Sequence, residues 1–237
     1  MAIAIKRTGS LAATNGVKFL VYGQAGSGKT SLIRTLPAPL VLSAEAGLLS
    51  IQDADIPFIE IKTFDDLEEA YQWLTLSQEA AEFQSIALDS ISEVAEVVLA
   101  SEMANKADPR QAYGEMNNRM SDIIRRFRDL PGKHVYFSAK LEKSADETGR
   151  MLYNPAMPGK SLTQGLPYQF DEVLALRAEK DTEGRVNRGL MCDTDGLWLA
   201  KDRSGKLDQW EAPDLGAIIA KMTAPAQPQA AAQEAGQ

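Results

Sequence analysis

The residues best suited to chemistry are eight consecutive ones near the amino terminus, rich in glycine and ending in lysine and threonine. They follow the pattern G-x-x-x-x-G-K-[S/T], which is typical of a phosphate-binding loop. The loop consists of Gly23, Gln24, Ala25, Gly26, Ser27, Gly28, Lys29 and Thr30, and Ser31 follows it. Glycines let the backbone curl around an anion without Cβ clashes, so that successive N–H groups point inward. These residues could therefore hold the phosphates of a nucleotide.

The segments on either side of this loop fit a strand before it and a helix after it. Residues 17–22 form an apolar run that predicts a buried strand, and residues 29–36 predict a helix that Pro37 ends. The amino terminus of such a helix adds a partial positive charge beside the anion. Lys29 is then expected to reach the β- and γ-phosphates, and the Thr30 hydroxyl is expected to ligate Mg²⁺. The predicted cofactors are therefore ATP and Mg²⁺.

Two carboxylates follow short apolar runs further along the chain. Residues 40–42 predict a strand that leads to Glu45, and residues 85–88 predict a strand that ends at Asp89. Open α/β sheets bind ligands at the carboxyl edge of their strands, so both acids are expected there. On a strand beside that of the loop, Glu45 would polarise the water that attacks the γ-phosphate; a loop carboxylate in solvent is the alternative. Asp89 has the position of a Walker B aspartate, which holds Mg²⁺ directly or through water.

Length and composition exclude several classes of protein. The 237 residues, 44% of them hydrophobic, fit one α/β domain with additions, or at most two small domains. Neither a long apolar run nor a signal peptide is present in the sequence, so we expect a cytoplasmic protein without a membrane partner. The net charge of −8 argues against non-specific nucleic-acid binding by the whole surface, but not against a local basic patch. A single cysteine and a single histidine leave too few soft ligands for a zinc site.

Two polar segments carry cations and aromatic side chains that suit single-stranded DNA. Residues 105–114 interrupt a helical pattern and predict a mobile loop. Residues 141–169 show little periodicity, and an irregular segment of this length is usually functional or disordered. Cations can contact phosphates there while aromatic rings stack on bases. The candidate DNA-binding residues are Lys106, Arg110, Lys143, Arg150, Tyr153, Lys160 and Tyr168.

The order of these features resembles that of the RecA recombinase ATPase core. The likeness is carried by the glycine-rich loop and by residues 41–45, 86–90 and 135–140, within roughly residues 17–205. The chain looks most like the short RecA-core ATPases encoded by phages, of the Sak single-strand-annealing and recombination type. The resemblance implies an α/β fold: a RecA-like P-loop NTPase core with a mostly parallel central sheet and helices on both faces.

The resemblance also implies roles for particular residues. Glu45 would be the catalytic glutamate that activates water. Lys140 takes the place of a glutamine that senses the γ-phosphate, which is a departure from the family pattern. Lys201 and Arg203 resemble paired cations that reach the nucleotide of a neighbouring subunit, which implies a homo-oligomer, a ring or a filament. The two polar segments occupy the positions of the family's two DNA-binding loops.

The predicted function is Mg²⁺-dependent ATP hydrolysis by a protein that acts on single-stranded DNA in phage-type recombination or annealing. It would work in the host cytoplasm if a phage encodes it, and a single-strand-binding protein is a candidate partner. One alternative is a small-molecule or nucleotide kinase with residues 141–169 as its lid. Another is an ATP-gated assembly or packaging partner with slow turnover.

The chain is predicted to have three parts. Residues 1–16 form an amino-terminal arm, which could add an edge strand, dock on a neighbour or fray. Residues 17–222 form the RecA-like ATPase domain, with later strands at 173–177, 189–192 and 197–200. Residues 223–237, rich in Ala, Gln and Pro, form a disordered tail.

Overall fold

A ten-stranded, mostly parallel sheet lies at the centre of the protein. The computed structural model describes residues 15–45 and 47–224, with the backbone alone at Lys160. The strands are β1 Lys18–Gly23, β2 Pro39–Ser43, β3 Phe58–Glu60, β4 Ser85–Asp89, β5 His134–Ala145, β6 Met151–Pro155, β7 Glu172–Lys180, β8 Val186–Met191, β9 Lys201–Asp202 and β10 Trp210–Glu211. Their order across the sheet is β10-β8-β7-β1-β5-β4-β2-β3, with β6 paired to β5 and β9 to β7. From β7 to β3 the neighbours are parallel, whereas β8, β10, β6 and β9 pair antiparallel.

Helices cover both faces of this sheet. They are α1 Lys29–Leu32, α2 Phe64–Leu76, α3 Ile91–Asn105, α4 Pro109–Arg128, α5 Lys160–Gly165 and α6 Leu215–Thr223. In β1, Leu20 and Tyr22 belong to a core cluster with residues of α2, α3 and α4, while Phe19 and Val21 belong to one with residues of α1 and α6. Successive residues of a strand face opposite sides, so β1 is buried on both faces, as in other parallel sheets. The predicted α/β class, with a mostly parallel sheet and helices on both faces, is confirmed.

The segment predicted as a loop at residues 105–114 is mostly helical. Asp108 caps α4 by accepting a hydrogen bond from the Arg110 N–H at 2.9 Å, and Pro109 occupies the first turn. The backbone N–H at the first position of a helix has no partner within the helix, so proline, which lacks this N–H, is favoured there. Pro109 therefore marks the start of a helix and not a break in one. Only residues 106–108 separate α3 from α4. The prediction of a mobile loop over the whole segment is wrong.

The second polar segment, residues 141–169, also has regular structure. β5 continues past the central sheet to Ala145 and pairs antiparallel with β6, after which α5 and a short 3₁₀ turn follow. Asp146 makes the turn, because its carboxylate accepts hydrogen bonds from the N–H groups of Thr148 and Arg150 at 2.8 and 2.9 Å. Both faces of this hairpin carry polar side chains, which hides the alternation that marks a half-buried strand. The prediction of a long aperiodic loop is wrong.

The end of the sheet differs from its prediction in one further place. Residues 197–200 form an isolated bridge between Trp198 and Tyr153 instead of a strand. The Asp195 carboxylate accepts the N–H groups of Leu197 and Trp198, both at 2.8 Å, so these amides serve a turn. Most of the predicted arm and of the predicted tail lies outside the described residues, and α6 extends to Thr223. No helix in the described ranges is long and apolar enough to cross a membrane.

Two acidic residues, one on β7 and one on β9, lie next to each other at the amino edge of the sheet, at the end opposite Gly23. Glu172 is fully buried and lies in register with Asp202, whose carboxylate accepts hydrogen bonds from Ser204 and Leu207. Burial, followed by the nearby charge of Asp202, raises the pKa of Glu172 to about 8. The folded protein therefore keeps a proton on Glu172 at pH values where the unfolded chain, with an ordinary glutamate pKa, has lost it.

Glu172→Gln should make the protein more resistant to alkaline pH. Between the ordinary glutamate pKa of 4.5 and about 8, the folded state of the wild type binds one proton more than the unfolded state. Its free energy of unfolding therefore falls as the pH rises through this window. Glutamine is neutral throughout, so the variant binds no such extra proton when it folds. Urea unfolding of both proteins at pH 5.5 and 8.5 should give a difference that grows by on the order of 2 kcal/mol in favour of the variant. A constant difference would show that Glu172 is ionised in the fold.

Candidate functional site

The carboxyl edge of the parallel strands brings the predicted site residues together. β1 ends at Gly23, in register with Lys140 of β5, and β4 ends at Asp89, in register with Ser43 of β2. One prediction is corrected here: the strand that leads to Glu45 is not beside the strand of the glycine-rich loop, since β5 and β4 lie between β1 and β2. Strands β1 and β2 are consecutive in the chain, but two strands from later in the chain lie between them in the sheet. The order of strands in a sheet depends on long-range contacts, so a local sequence pattern does not predict it.

The glycine-rich loop has the backbone shape of an anion cradle. Gly28 has φ +106°, which other residues rarely adopt, and a Cβ on Gly23 would lie 2.6 Å from the carbonyl oxygen of Leu176. The Ser27 N–H donates to the Gln24 carbonyl at 3.1 Å and closes the loop. Within the described residues, the N–H groups of Gly26 and Gly28 have no acceptor. Free N–H groups around a curved backbone fit a phosphate.

Lys29 lies across the mouth of this cradle. Its ammonium group donates to the carbonyl oxygens of Gly23 and Gln24 at 3.0 and 3.1 Å. Burial lowers the pKa of Lys29, and the carboxylates of Asp89 and Glu45 oppose this shift. The fully buried Tyr136 donates its hydroxyl to the Lys29 carbonyl at 2.8 Å and so fixes the first turn of α1 from β5. Sequence reasoning missed Tyr136; the available signal is that a buried tyrosine hydroxyl needs a partner.

Asp89 and Thr30 form the candidate cation site. Thr30 Oγ1 donates to Asp89 Oδ2 at 2.6 Å, and the Ser138 hydroxyl donates to the other carboxylate oxygen. Asp89 is only 2% exposed, so these two hydroxyls hold its orientation. In the described part of the chain there is no cluster of three or more His, Cys, Asp or Glu residues that could hold a metal. The donor set is hard oxygen from two side chains, which fits Mg²⁺, because this ion takes few protein ligands and completes its shell with phosphate and water.

Glu45 is tied to the same strand end. The Ser90 hydroxyl donates to Glu45 Oε1 at 2.5 Å, and the N–H of Glu45 donates to the Asp89 carbonyl at 3.2 Å. Ser90 is fully buried and also caps α3 by accepting the N–H of Glu93. One oxygen of the Glu45 carboxylate is thus held in place by Ser90. Ser90, like Ser138, was not predicted as a site residue; both are hydroxyls at or just after the carboxyl end of a strand.

A cleft of about 790 Å³ lies between the glycine-rich loop and the end of β5, and both Lys29 and Glu45 line it. A volume of this size suits a small-molecule or cofactor ligand.

Lys140 also lines this cleft. The ammonium group of Lys140 lies 2.7 Å from Glu93 Oε2 and 3.0 Å from Glu96 Oε1. Hydrogen bonding to Glu93, in the main, raises the pKa of Lys140. The role of Lys140 as a γ-phosphate sensor stays a prediction.

The predicted DNA-binding residues fall into two groups. Lys106, Arg110 and Lys143 are exposed and form no ion pair with other described residues. Arg150, by contrast, pairs with Asp146 at 3.2 Å. These three unpaired cations are the ones whose charge is available to a phosphate backbone.

The two aromatic candidates and Lys160 give less support to a DNA-binding surface. The ring of Tyr153 stacks on Trp198, with centroids 4.3 Å apart and planes 6° apart, so one of its faces is covered. Tyr168 is 81% exposed, but its carbonyl accepts from Arg203, at the amino edge of the sheet and away from the cleft. Only the backbone of Lys160 is described, at the start of α5. The structure therefore does not gather the seven residues on one surface.

Lys201 and Arg203 also lie at the amino edge of the sheet. Lys201 donates to the carbonyl oxygens of Pro167 and Phe170 at 2.6 and 2.7 Å. Arg203 pairs with Asp171 at 3.0 Å, and Asp171 is bonded to the first residue of β1, at the end opposite the glycine-rich loop. Both cations thus have partners within the chain. Their action on a neighbouring subunit's nucleotide stays a prediction that these contacts do not support.

Comparisons with known proteins agree with the site only at the level of the family. Among solved structures, a KaiC-like protein of the hyperthermophilic archaeon Pyrococcus horikoshii OT3 aligns with 77% of this chain and 83% of its own, at 12% identity and a TM-score of 0.42. No curated protein matches the sequence. The family model described as an AAA domain matches residues 15–204, which is more than half of the chain and includes every residue of the cleft described above. The protein therefore belongs to the AAA domain family, and the glycine-rich loop, Asp89 and Glu45 lie in its nucleotide-binding ATPase domain.

Proposed function

We propose that the protein binds ATP with Mg²⁺, hydrolyses it, and acts on single-stranded DNA in phage-type recombination or annealing. The observation that carries the ATPase part is the convergence of Lys29, Thr30, Asp89 and Glu45 on one edge of the sheet. Phosphoryl transfer to water requires a phosphate cradle, a hard-oxygen cation site and a carboxylate that can meet water. Lys29 of the cradle and Glu45 line one cleft, and Thr30 bonds to Asp89 at the same edge of the sheet. The DNA part is supported by the unpaired cations Lys106, Arg110 and Lys143.

The chain's own residues divide the work of hydrolysis. The loop N–H groups and Lys29 bind the phosphates, and Lys29 exchanges its two loop carbonyls for phosphate oxygens. Thr30 and Asp89 would hold Mg²⁺, which supplies charge neutralisation on the β- and γ-phosphate oxygens when bound. Ser90 bonds to one carboxylate oxygen of Glu45, and the other oxygen accepts a hydrogen bond from the attacking water and then takes its proton.

One titration separates this function from the alternatives. ATP hydrolysis is measured with Mg²⁺ as an unstructured single-stranded oligonucleotide is added. A rise in turnover supports the proposal. Phosphate transfer to a small acceptor instead of water indicates a kinase, and tight nucleotide binding with negligible turnover indicates an ATP-gated assembly partner. Hydrolysis that DNA leaves unchanged contradicts the DNA part and retains the ATPase part.

The double variant Lys106→Ala with Arg110→Ala should weaken binding to single-stranded DNA and leave ATPase activity without DNA intact. Both side chains are exposed, lie at the junction of α3 and α4, and have no ion-pair partner among the described residues. If each contacts one phosphate, the slope of log affinity against log salt becomes shallower by roughly 0.7 per cation. Fluorescence anisotropy with a labelled oligonucleotide at several salt concentrations measures this.

Arg150→Ala is the matched control for that experiment, since Asp146 already neutralises its charge. It should change the salt slope much less than the double variant does. Equal affinity and equal slope in the wild type and the double variant would remove the α3–α4 junction from the DNA surface.

A further inference from the structure

An arginine from outside the predicted motifs contacts the glycine-rich loop. Arg188 lies on β8, two strands away from β1 on the side opposite β5, in register with Ala178 of β7. Its Nε donates to the Ser27 carbonyl at 2.9 Å. The same Nε lies 3.3 Å from the position that a Cβ on Gly28 would occupy. Arg188 thus bonds to the Ser27–Gly28 peptide and packs beside it.

The direction of this hydrogen bond is informative. In a trans peptide the C=O and the N–H point to opposite sides, so Arg188 on the Ser27 carbonyl leaves the Gly28 N–H directed away from the arginine. That N–H has no acceptor within the described ranges. Gly28 has the left-handed φ of +106°, a conformation that the peptide can leave easily when nothing holds it. Arg188 holds this peptide by its carbonyl oxygen, on the side opposite the Gly28 N–H.

The charge of Arg188 adds to this effect. It forms no ion pair with any described residue, so no carboxylate offsets its charge beside the loop. A cation on a carbonyl oxygen polarises the peptide and makes its N–H a stronger donor, because hydrogen bonds in a chain reinforce one another. The uncompensated charge also raises the potential at the anion site.

We propose that Arg188 is a positioning residue for nucleotide binding: it orients and polarises the Ser27–Gly28 peptide so that the Gly28 N–H donates to a phosphate. This inference rests on nucleotide binding at the glycine-rich loop, and it adds a contribution in cis from a strand outside the predicted motifs. Arg188 acts through the loop and is not a catalytic residue.

The test compares Arg188→Ala, Arg188→Lys and the matched control Arg185→Ala, which removes an arginine from the same β7–β8 hairpin where Asp181 and Glu183 pair with it. Affinity is measured with a fluorescent methylanthraniloyl ADP. Arg188→Ala should bind about tenfold more weakly, the scale of one charge-assisted hydrogen bond. Arg188→Lys, whose ammonium can still reach the Ser27 carbonyl, should recover most of this loss. Arg185→Ala should match the wild type.

Steady-state ATPase kinetics and thermal unfolding complete the test. The lost contact serves bound substrate and transition state alike, so KM should rise by the same factor while kcat changes less than about threefold. The unfolding midpoint should stay the same. Wild-type affinity in Arg188→Ala overturns the inference, and so does a loss that lysine fails to restore and that accompanies a lower midpoint. Failure of the wild type to bind ADP would overturn the proposed function instead.

Discussion

Lys29→Ala should reduce ATP hydrolysis to background, a loss of about a thousandfold or more. The ammonium of Lys29 is the only lysine group within the described residues that bonds to the glycine-rich loop, where it holds the carbonyls of Gly23 and Gln24. Those bonds place it at the mouth of the cradle, where the β- and γ-phosphates would lie. Charge that develops on the transferring group would lose its nearest cation, and no water molecule can replace a fixed positive charge in a partly buried site.

The lysine's present environment supports this large effect. Burial lowers the pKa of Lys29, which means that the fold keeps a cation in a place that disfavours charge. A nearby phosphate would reverse that penalty, since opposite charges stabilise each other most strongly where water is excluded. Binding energy for the nucleotide and stabilisation of the transition state therefore depend on the same group.

The measurement is single-turnover and steady-state ATPase activity of purified Lys29→Ala, with Lys62→Ala as control. Lys62 is exposed and pairs with Glu60 at the far edge of the sheet, so its removal tests the effect of losing a lysine as such. Circular dichroism and the unfolding midpoint show whether the variant is folded. Substantial turnover in folded Lys29→Ala would mean that the cleft is not where ATP is hydrolysed.

The glycine-rich loop, its strand and its helix could be predicted from sequence because all of their determinants are contiguous. The apolar run, the glycines and the Lys-Thr pair lie within 20 residues of one another, and the same holds for the apolar run that ends at Asp89. Contiguous patterns of this kind are enough to predict a strand, a loop and a helix without knowledge of tertiary contacts. The resemblance that implied the α/β class depends on the order of these same local patterns along the chain.

The groups that complete the site come from far along the chain and leave no local pattern. The bond from Tyr136 to Lys29 spans 107 residues, and that from Arg188 to Ser27 spans 161. The order of strands across the sheet determines both contacts: β5 lies next to β1, and β8 lies beyond β7 on its other side, whereas β2 is two strands further along from β5. Sequence reasoning therefore placed Glu45 at the correct edge but beside the wrong strand.

The two polar segments were misread for a different reason. Both contain polar residues together with Pro and Gly, a composition that predicts loops, whereas helix caps and turns use Asp, Asn, Ser and Thr to begin or connect regular structure. Asp108 starts a helix and Asp146 closes a hairpin with side chains that a composition argument counts only as polar. In both segments an Asp side chain accepts backbone N–H groups that would otherwise have no partner, and this pairing distinguishes a helix start or a hairpin turn from an irregular loop.

Glu45→Gln should keep ATP binding and lower kcat by about a hundredfold or more, the usual scale for loss of a general base. Glutamine has the shape of glutamate, and its amide oxygen can still accept the hydrogen bond from Ser90 that now holds the carboxylate at 2.5 Å. The side chain would therefore stay in the cleft. What it loses is the ability to take a proton from water, so the effect falls on turnover and not on affinity.

The position of Glu45 explains why this carboxylate, and not Asp89, is expected to act on water. Asp89 is buried and both of its oxygens accept hydroxyl hydrogen bonds, from Thr30 and Ser138. Glu45 has one oxygen engaged by Ser90 and lines the open cleft opposite Lys29. A carboxylate with a free oxygen facing the ligand can meet a water molecule, whereas one with both oxygens held near Thr30 suits a cation.

The comparison needs three variants: Glu45→Gln, Asp89→Asn and the control Glu142→Gln, a neutralised carboxylate on the exposed hairpin. A fluorescent ATP analogue measures affinity, and phosphate release without DNA measures turnover. Glu45→Gln should bind like the wild type and turn over slowly, Asp89→Asn should lose turnover because the cation site is disturbed, and Glu142→Gln should match the wild type in both. If Glu45→Gln loses less than a few-fold in kcat while Asp89→Asn is inactive, another group positions the water. Glu93, which lines the same cleft and now pairs with Lys140, is then the carboxylate to test, because nucleotide that draws Lys140 toward its phosphates would release it.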